Sequence, residues 1–166
     1  MSKRELNVHK FNKRDKRGPA LCPMNNKHPF SLDDVHLSTI EGWMLLFRLP
    51  PNDKRRVKAT MGNWKEARSV AGRLPDRDHG WWNGKKIKLD SKEFRHLFER
   101  MMRRRFRDDH RAIAALMSTR GTKFVHRRPK PNSPLSVVDM DLYFKILRKF
   151  RRELFEHFKI LKPAAV

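Results

Sequence analysis

Glu41 lies in the stretch LSTIEGWMLL, residues 37–46, three positions after Ser38 and at the head of an amphipathic run. Ser-x-x-Glu is the spacing of a capping box, in which the serine oxygen accepts from the third helical amide and the glutamate reaches back to the serine N–H. A glutamate in a first helical turn is also a pre-oriented carboxylate, able to stabilise developing positive charge or to activate water. The position therefore reads as a cap, a catalyst or both. Trp81 and Trp82 are adjacent, and in an extended segment alternate residues face opposite ways, so one packs inward and the other outward. An exposed indole stacks on a nucleobase for about 1–3 kcal/mol; the pair reads equally as core. Asp108-Asp109 and the acids of VVDMD fit helix starts better than a paired general acid and base. The sequence contains no glycine-rich phosphate loop, nucleophile elbow, zinc-deaminase signature or Cys/His array with metal-ligand spacing.

Such residues need a scaffold, and 166 residues suit one domain with a real core. The 38% hydrophobic content lies within the globular range, but 40 Lys+Arg against 18 Asp+Glu leave a net charge of +22. That charge implies a polyanion as substrate or scaffold, namely nucleic acid, DNA or RNA, rather than a membrane surface. Cys22 is the single cysteine and cannot form an internal disulfide, which suggests a reducing compartment. The first twenty residues are charged without an apolar core, and no stretch approaches the roughly 18 apolar residues of a membrane span. The expectation is an intracellular protein of the cytoplasm or another reducing, nucleic-acid-rich compartment, neither secreted nor in a membrane, with no cofactor implied.

Residues 1–27 mix Lys/Arg with Asn, Gly and Pro and show no sustained periodicity, so they read as a basic arm that orders against the domain or a partner. A domain over 28–162 and a tail over 163–166 follow. PFSLDDVHLS predicts a small hairpin around Asp33-Asp34. Ile40, Trp43, Met44 and Phe47 recur with helical spacing until Pro50-Pro51, which puts Trp43 in the core. A short helix capped by Asn52 and ended by Gly62, and a third over NWKEARSVAGR with Trp64, Ala67 and Ala71 inward, come next. Asn83-Gly84 signals a second hairpin with a type I′ turn. Ser91 opens a long helix with Phe94, Leu97, Phe98, Met101 and Phe106 inward and Arg103, Arg104, Arg105 and Arg107 solvated. Another helix starts at Asp108-Asp109 and ends near Gly121. TKFVHR reads as a strand, RPKPNSPLS as a loop, and residues from Met140 to Pro163 as a final amphipathic helix. The fold class is mainly α: one helical domain with two small β-hairpins and short strands.

The order of these blocks resembles the NADAR (YbiA-like) family, in particular its short phage and bacterial version. The resemblance runs through PFSLDDVHLSTIEGWMLLFRLP, EARSVAGR, GWW before a hairpin, SKEFRHLFERMMRRRF, AIAALMSTRGTKFVHR and LYFKILRKFR, about residues 28–155. It implies a YbiA-like helical fold and an enzyme that hydrolyses N-glycosidic bonds of ribose phosphates. Family substrates include pyrimidine-type riboflavin-pathway intermediates and ADP-ribose attached to guanine in nucleic acid. Carried onto this sequence, the resemblance implies Glu41 as the catalytic carboxylate and Arg48 and Arg68 on phosphates. It further implies Trp81 or Trp82 on the base, and His126 where the family places an acid at a strand end. Arg48 lies seven residues after Glu41, on the same helical face, and a guanidinium there pairs bidentately with phosphate. His126 reads as a structural imidazole as readily as a catalytic one.

One departure is plain. Many members follow the strand with an acid and Asp-x-x-Trp-Gly; here the region is HRRPKPNSP. The resemblance implies an N-glycosidase that removes ADP-ribose from guanine in nucleic acid; the missing acidic motif, the Arg-rich helix faces and the basic arm give the alternative, a non-enzymatic, strongly basic nucleic-acid-binding component of a ribonucleoprotein or packaged genome on the same scaffold.

Overall fold

The computed structural model describes residues 4–9, 12, 14–61, 66, 69–70, 74, 78–127 and 137–160. Among them are six helices and six short strands in three two-stranded sheets, the mainly α architecture expected. The contacts group the chain into two compact units. One comprises Met1–Cys22, His110–Pro134 and Asp139–Val166, the other Pro23–Asp109 and Leu135–Val138.

In the first unit, β1 (Glu5–Asn7) pairs in parallel with β6 (Lys123–Val125), Leu6 lying opposite Phe124. Within the stretch 1–27, Leu6, Val8, Leu21 and Cys22 are buried. Its short helix α1 (Arg17–Ala20) is joined by α5 (His110–Met117) and α6 (Met140–Ile160). Asp139 caps α6, its Oδ1 accepting from the amides of Asp141 and Leu142, both at 3.0 Å. Tyr143, fully buried, donates its hydroxyl to the Leu21 carbonyl at 2.5 Å. Arg151 donates to the carbonyls of Thr119 and Thr122 and lies over the Phe124 ring. Burial lowers its guanidinium pKa, and the nearby charge of Arg148 adds to that.

The second unit carries both predicted hairpins. β2 (Phe30–Leu32) pairs with β3 (Val35–Leu37), and β4 (His79–Trp82) with β5 (Lys85–Lys88), each antiparallel. Asp33 and Asp34 turn the first at φ 48° and 65°, Asn83 and Gly84 the second at φ 47° and 75°. Left-handed backbone at both central residues is the requirement of a type I′ turn, and Asp and Asn are the non-glycine residues that tolerate it best.

Three helices complete this unit: α2 (Ile40–Arg48), α3 (Arg55–Met61) and α4 (Lys92–Phe106). The sequence suggests one apolar face for α2, yet every side chain from Ile40 to Phe47 is buried. A helix apolar nearly all round is a central core helix. Gly42 makes this possible, since a Cβ there would lie 2.5 Å from the Ala59 carbonyl of α3. Trp43 is in the core as predicted, its ring centroid 5.4 Å from Phe47 and 5.8 Å from both Trp82 and Phe98. β4 crosses so closely that a Cβ on Gly80 would meet the Phe47 ring at 2.2 Å and its carbonyl oxygen at 2.4 Å.

Several local expectations are corrected. α3 starts at Arg55 behind Asp53, not behind an Asn52 cap. Asp53 accepts from the Arg55 amide and guanidinium, which lowers its pKa to about 2. Arg105 is not solvated but 4% exposed, donating to Asp109, itself 1% exposed, at 2.7 Å. One turn separates the pair, so the long side chain folds inward to meet its counter-charge. Ser91 does cap α4, accepting from Phe94 at 3.0 Å. Most of the helix expected over 63–73, with Trp64, Arg68 and Gly72, lies outside the described residues, as does the loop 128–136.

Candidate active site

The start of α2 differs from a capping box by one residue. Thr39 is the cap: it is extended (φ −146°, ψ 157°), and its Oγ1 accepts from Gly42 N at 2.8 Å. Ser38 instead donates its hydroxyl to the Thr60 carbonyl at 3.2 Å. Counting from Thr39, the third helical residue is Gly42, and Glu41 is the second. Glu41 is held through its own amide, which donates to the Pro23 carbonyl at 3.2 Å, and the residue is only 6% exposed. Glutamate is almost never this buried without being paired or used. The first turn favours its negative charge, because the unsatisfied amides there carry the positive end of the helix dipole.

Arg48 is the last residue of α2 and half-buried. Seven residues at 1.5 Å each place it about 10 Å along the axis from Glu41, near the same azimuth. The two groups are therefore about two helical turns apart and do not converge on one atom.

The tryptophan pair divides as alternation requires. Trp82 is 5% exposed and donates its indole Nε1 to Asp33 Oδ2 at 2.7 Å. Trp81 is half-buried on the opposite face of the strand, edge-on to His79 at 4.8 Å between centroids. His79 Nδ1 lies 2.8 Å from Asp78 Oδ1, a contact that lowers the Asp78 pKa.

Asp33 is the residue the sequence reading passed over. The same Oδ2 also accepts from Asn83 Nδ2 at 3.1 Å and Arg100 Nη2 at 2.6 Å, which joins both hairpin tips to α4. The Trp82 hydrogen bond first, then the charge of Arg100 and the Asn83 hydrogen bond, hold this carboxyl below the usual range. Its signal was the Asp-Asp turn pair.

Glu41, Arg48, Trp81 and Trp82 thus belong to one compact unit. His126 belongs to the other, its ring 5.3 Å from that of His9. Arg68 lies outside the described residues. Among the described residues no group of three or more His, Cys, Asp or Glu is placed to hold a metal ion, and no helix is long and apolar enough to cross a membrane.

These elements define a YbiA-like fold. The solved structure that carries the comparison is the NMR structure of the E. coli protein YbiA, which matches over 99% of this chain and 92% of its own. The TM-score is 0.61 at 14% sequence identity, a likeness of fold. No family model and no curated protein matches the sequence.

Proposed function

We propose that this chain is an N-glycosidase of the NADAR type, acting on a ribose-phosphate compound, with ADP-ribose attached to guanine in nucleic acid as its substrate. The observation that carries the reading is Glu41: a carboxylate 6% exposed in the first turn of α2, standing outside the capping pair Thr39 and Gly42. Cleavage at C1′ passes through an oxocarbenium-like state, whose positive charge a fixed, desolvated carboxylate stabilises. Water then adds its hydroxide to C1′, and the base departs carrying the proton at its nitrogen. Arg48, about two turns along, is spaced to meet a phosphate while Glu41 meets the sugar. Trp81 is the more exposed indole and the one suited to the base. The net charge of +22 supports a polyanionic substrate over a free metabolite, because basic surface steers association with nucleic acid.

The test is release of ADP-ribose from an oligonucleotide carrying one ADP-ribosylated guanine. Turnover by the wild type that falls about 100-fold or more in Glu41→Gln, with an unchanged thermal midpoint, supports the assignment. A second reading rests on HRRPKPNSP, which lacks the acid and tryptophan of many relatives. An inert wild type that still binds unmodified strands with a steep salt dependence would replace the glycosidase by a nucleic-acid-binding component.

A further inference from the structure

The compact unit made of Met1–Cys22, His110–Pro134 and Asp139–Val166 holds 20 Lys+Arg, and its only acids are Glu5, Asp15, Asp139, Asp141, Glu153 and Glu156. Three of these are engaged elsewhere: Glu5 pairs with Arg127, Asp15 pairs with Arg17 at 2.6 Å, and Asp139 accepts from the first amides of α6. Asp141, Lys145, Arg148, Arg152 and Glu156 are exposed and recur every three or four residues, so they share one face of α6. The buried face carries Tyr143, Ile146, Leu147 and Phe150. Asp141 belongs to the first turn, where a carboxylate answers the helix dipole. Glu156 lies 4.0 Å from Arg152, with side chains 64% and 70% exposed, a contact that water and salt screen. Among the described residues Lys145 and Arg148 have no ion-pair partner.

The layer beneath this stripe is cationic too. Arg151 is half-buried, and its guanidinium meets the carbonyls of Thr119 and Thr122 and the face of Phe124, none of which cancels its charge. Burial first, then the charge of Arg148, lowers its pKa. Exposed Arg120 lies over the Phe155 ring of α6 at 5.5 Å, again with no carboxylate partner among the described residues. Lys149 and Glu153 stand four apart and offset each other. Around Lys145, Arg148 and Arg152 the chain thus leaves an excess of positive charge that it does not neutralise.

By helical rise, Arg148 lies about 4.5 Å beyond Lys145 and Arg152 about 6 Å further. A strand of B-DNA presents a phosphate about every 3.4 Å of axis, so a stripe of about 10 Å faces about three of them. The stripe holds no aromatic or aliphatic side chain. It has nothing to stack on a base and nothing to bury in a lipid surface. We propose that this face of α6 binds the sugar–phosphate backbone of duplex nucleic acid without reading its bases, with Lys145, Arg148 and Arg152 on neighbouring phosphates. A duplex suits it better than a single strand, because its charge is about twice as dense along the axis. The surface is independent of Glu41 and of the glycosidase reading.

The experiment is fluorescence anisotropy of the full chain with labelled duplexes of about 20 base pairs in two unrelated sequences, and with one strand alone, from about 50 to 300 mM salt. Lys145→Gln with Arg148→Gln removes two charges from the stripe and keeps helix-forming side chains. Lys86→Gln with Lys92→Gln removes two from exposed lysines of the other unit. The stripe predicts that the two duplexes bind within about threefold of each other and more tightly than the strand alone. The first double variant should bind duplex at least about tenfold more weakly near 100 mM salt, with a salt slope shallower by about 1.8. The second should lose less than about threefold. Arg148→Lys keeps the charge and should stay within about threefold of the wild type, which separates loss of charge from loss of helix. Equal losses in the two double variants, or tighter binding of the single strand, would each overturn the proposal. Unchanged duplex affinity in the first variant, with weaker binding to vesicles containing phosphatidylserine, would transfer the stripe to a membrane surface.

Discussion

The indole Nε1 of Trp82 donates to Asp33 Oδ2 at 2.7 Å and so ties the tip of one hairpin to the tip of the other. Since Asn83 and Arg100 donate to the same oxygen, a single carboxylate positions Trp82, the β4–β5 turn and α4 together. Its pKa is lower in the folded chain than the ordinary 3.8. The charge therefore stabilises the fold fully above that ordinary value and loses its contribution as pH falls through the lowered one. Asp33→Asn keeps a turn-compatible residue and removes the charge. It should cost about 1–2 kcal/mol near pH 7 in urea unfolding, with the gap from wild type closing below about pH 4.

Thr39 and Ser38 can be separated by stability alone. Loss of the hydroxyl that accepts from Gly42 in Thr39→Ala should cost about 1 kcal/mol. Ser38→Ala, which removes only a 3.2 Å bond to Thr60, should cost less than half as much. Equal costs would restore Ser38 as the cap.

The buried Arg105 and Asp109 pair predicts an asymmetric double-mutant cycle. Arg105→Met leaves a carboxylate that is 1% exposed without its guanidinium partner and should cost about 3–5 kcal/mol. Adding Asp109→Leu should recover a large part of that loss, measured by chemical denaturation. His28, whose Nε2 lies 3.5 Å from the other Asp109 oxygen, makes one contact where the guanidinium is lost.

Gly80→Ala tests the crossing of β4 over α2. Two of the atoms the new methyl would meet belong to the Phe47 ring and one to its backbone carbonyl, so side-chain rotation alone does not relieve the clash. Overpacking of this kind costs about 1–3 kcal/mol or more, read as a lower thermal midpoint and a near-ultraviolet circular dichroism change from the Trp43 cluster.

What the sequence disclosed depended on the reach of the interaction. Both hairpins were legible because Asp33-Asp34 and Asn83-Gly84 advertise left-handed turns within four residues, and α4 was legible because Ser91 and the Phe94, Leu97, Phe98, Met101 stripe carry its start and its face. Arg105 was misread because it stands in a run of arginines. Yet it continues the stripe four positions after Met101 and lies four before Asp109, the spacing at which helical side chains meet. The strand at Glu5–Asn7 gave no local signal, since only its pairing with Lys123–Val125 makes it a strand. At Glu41 the sequence found the carboxylate and its helical turn but displaced the cap by one residue. It also could not reveal that all sides of α2 are covered, because Gly42 marks a close approach whose other partner lies on α3.

The parallel pairing of β1 with β6 bears on how the chain is made. During synthesis Glu5–Asn7 precedes the whole Pro23–Asp109 segment, and Lys123–Val125, with which it must align, follows it. That middle unit is almost continuous in sequence and free to condense while translation proceeds. Leu6, whose strand partner is Phe124, meanwhile waits unburied until Lys123–Val125 is added. A strand made early thus finds its partner late.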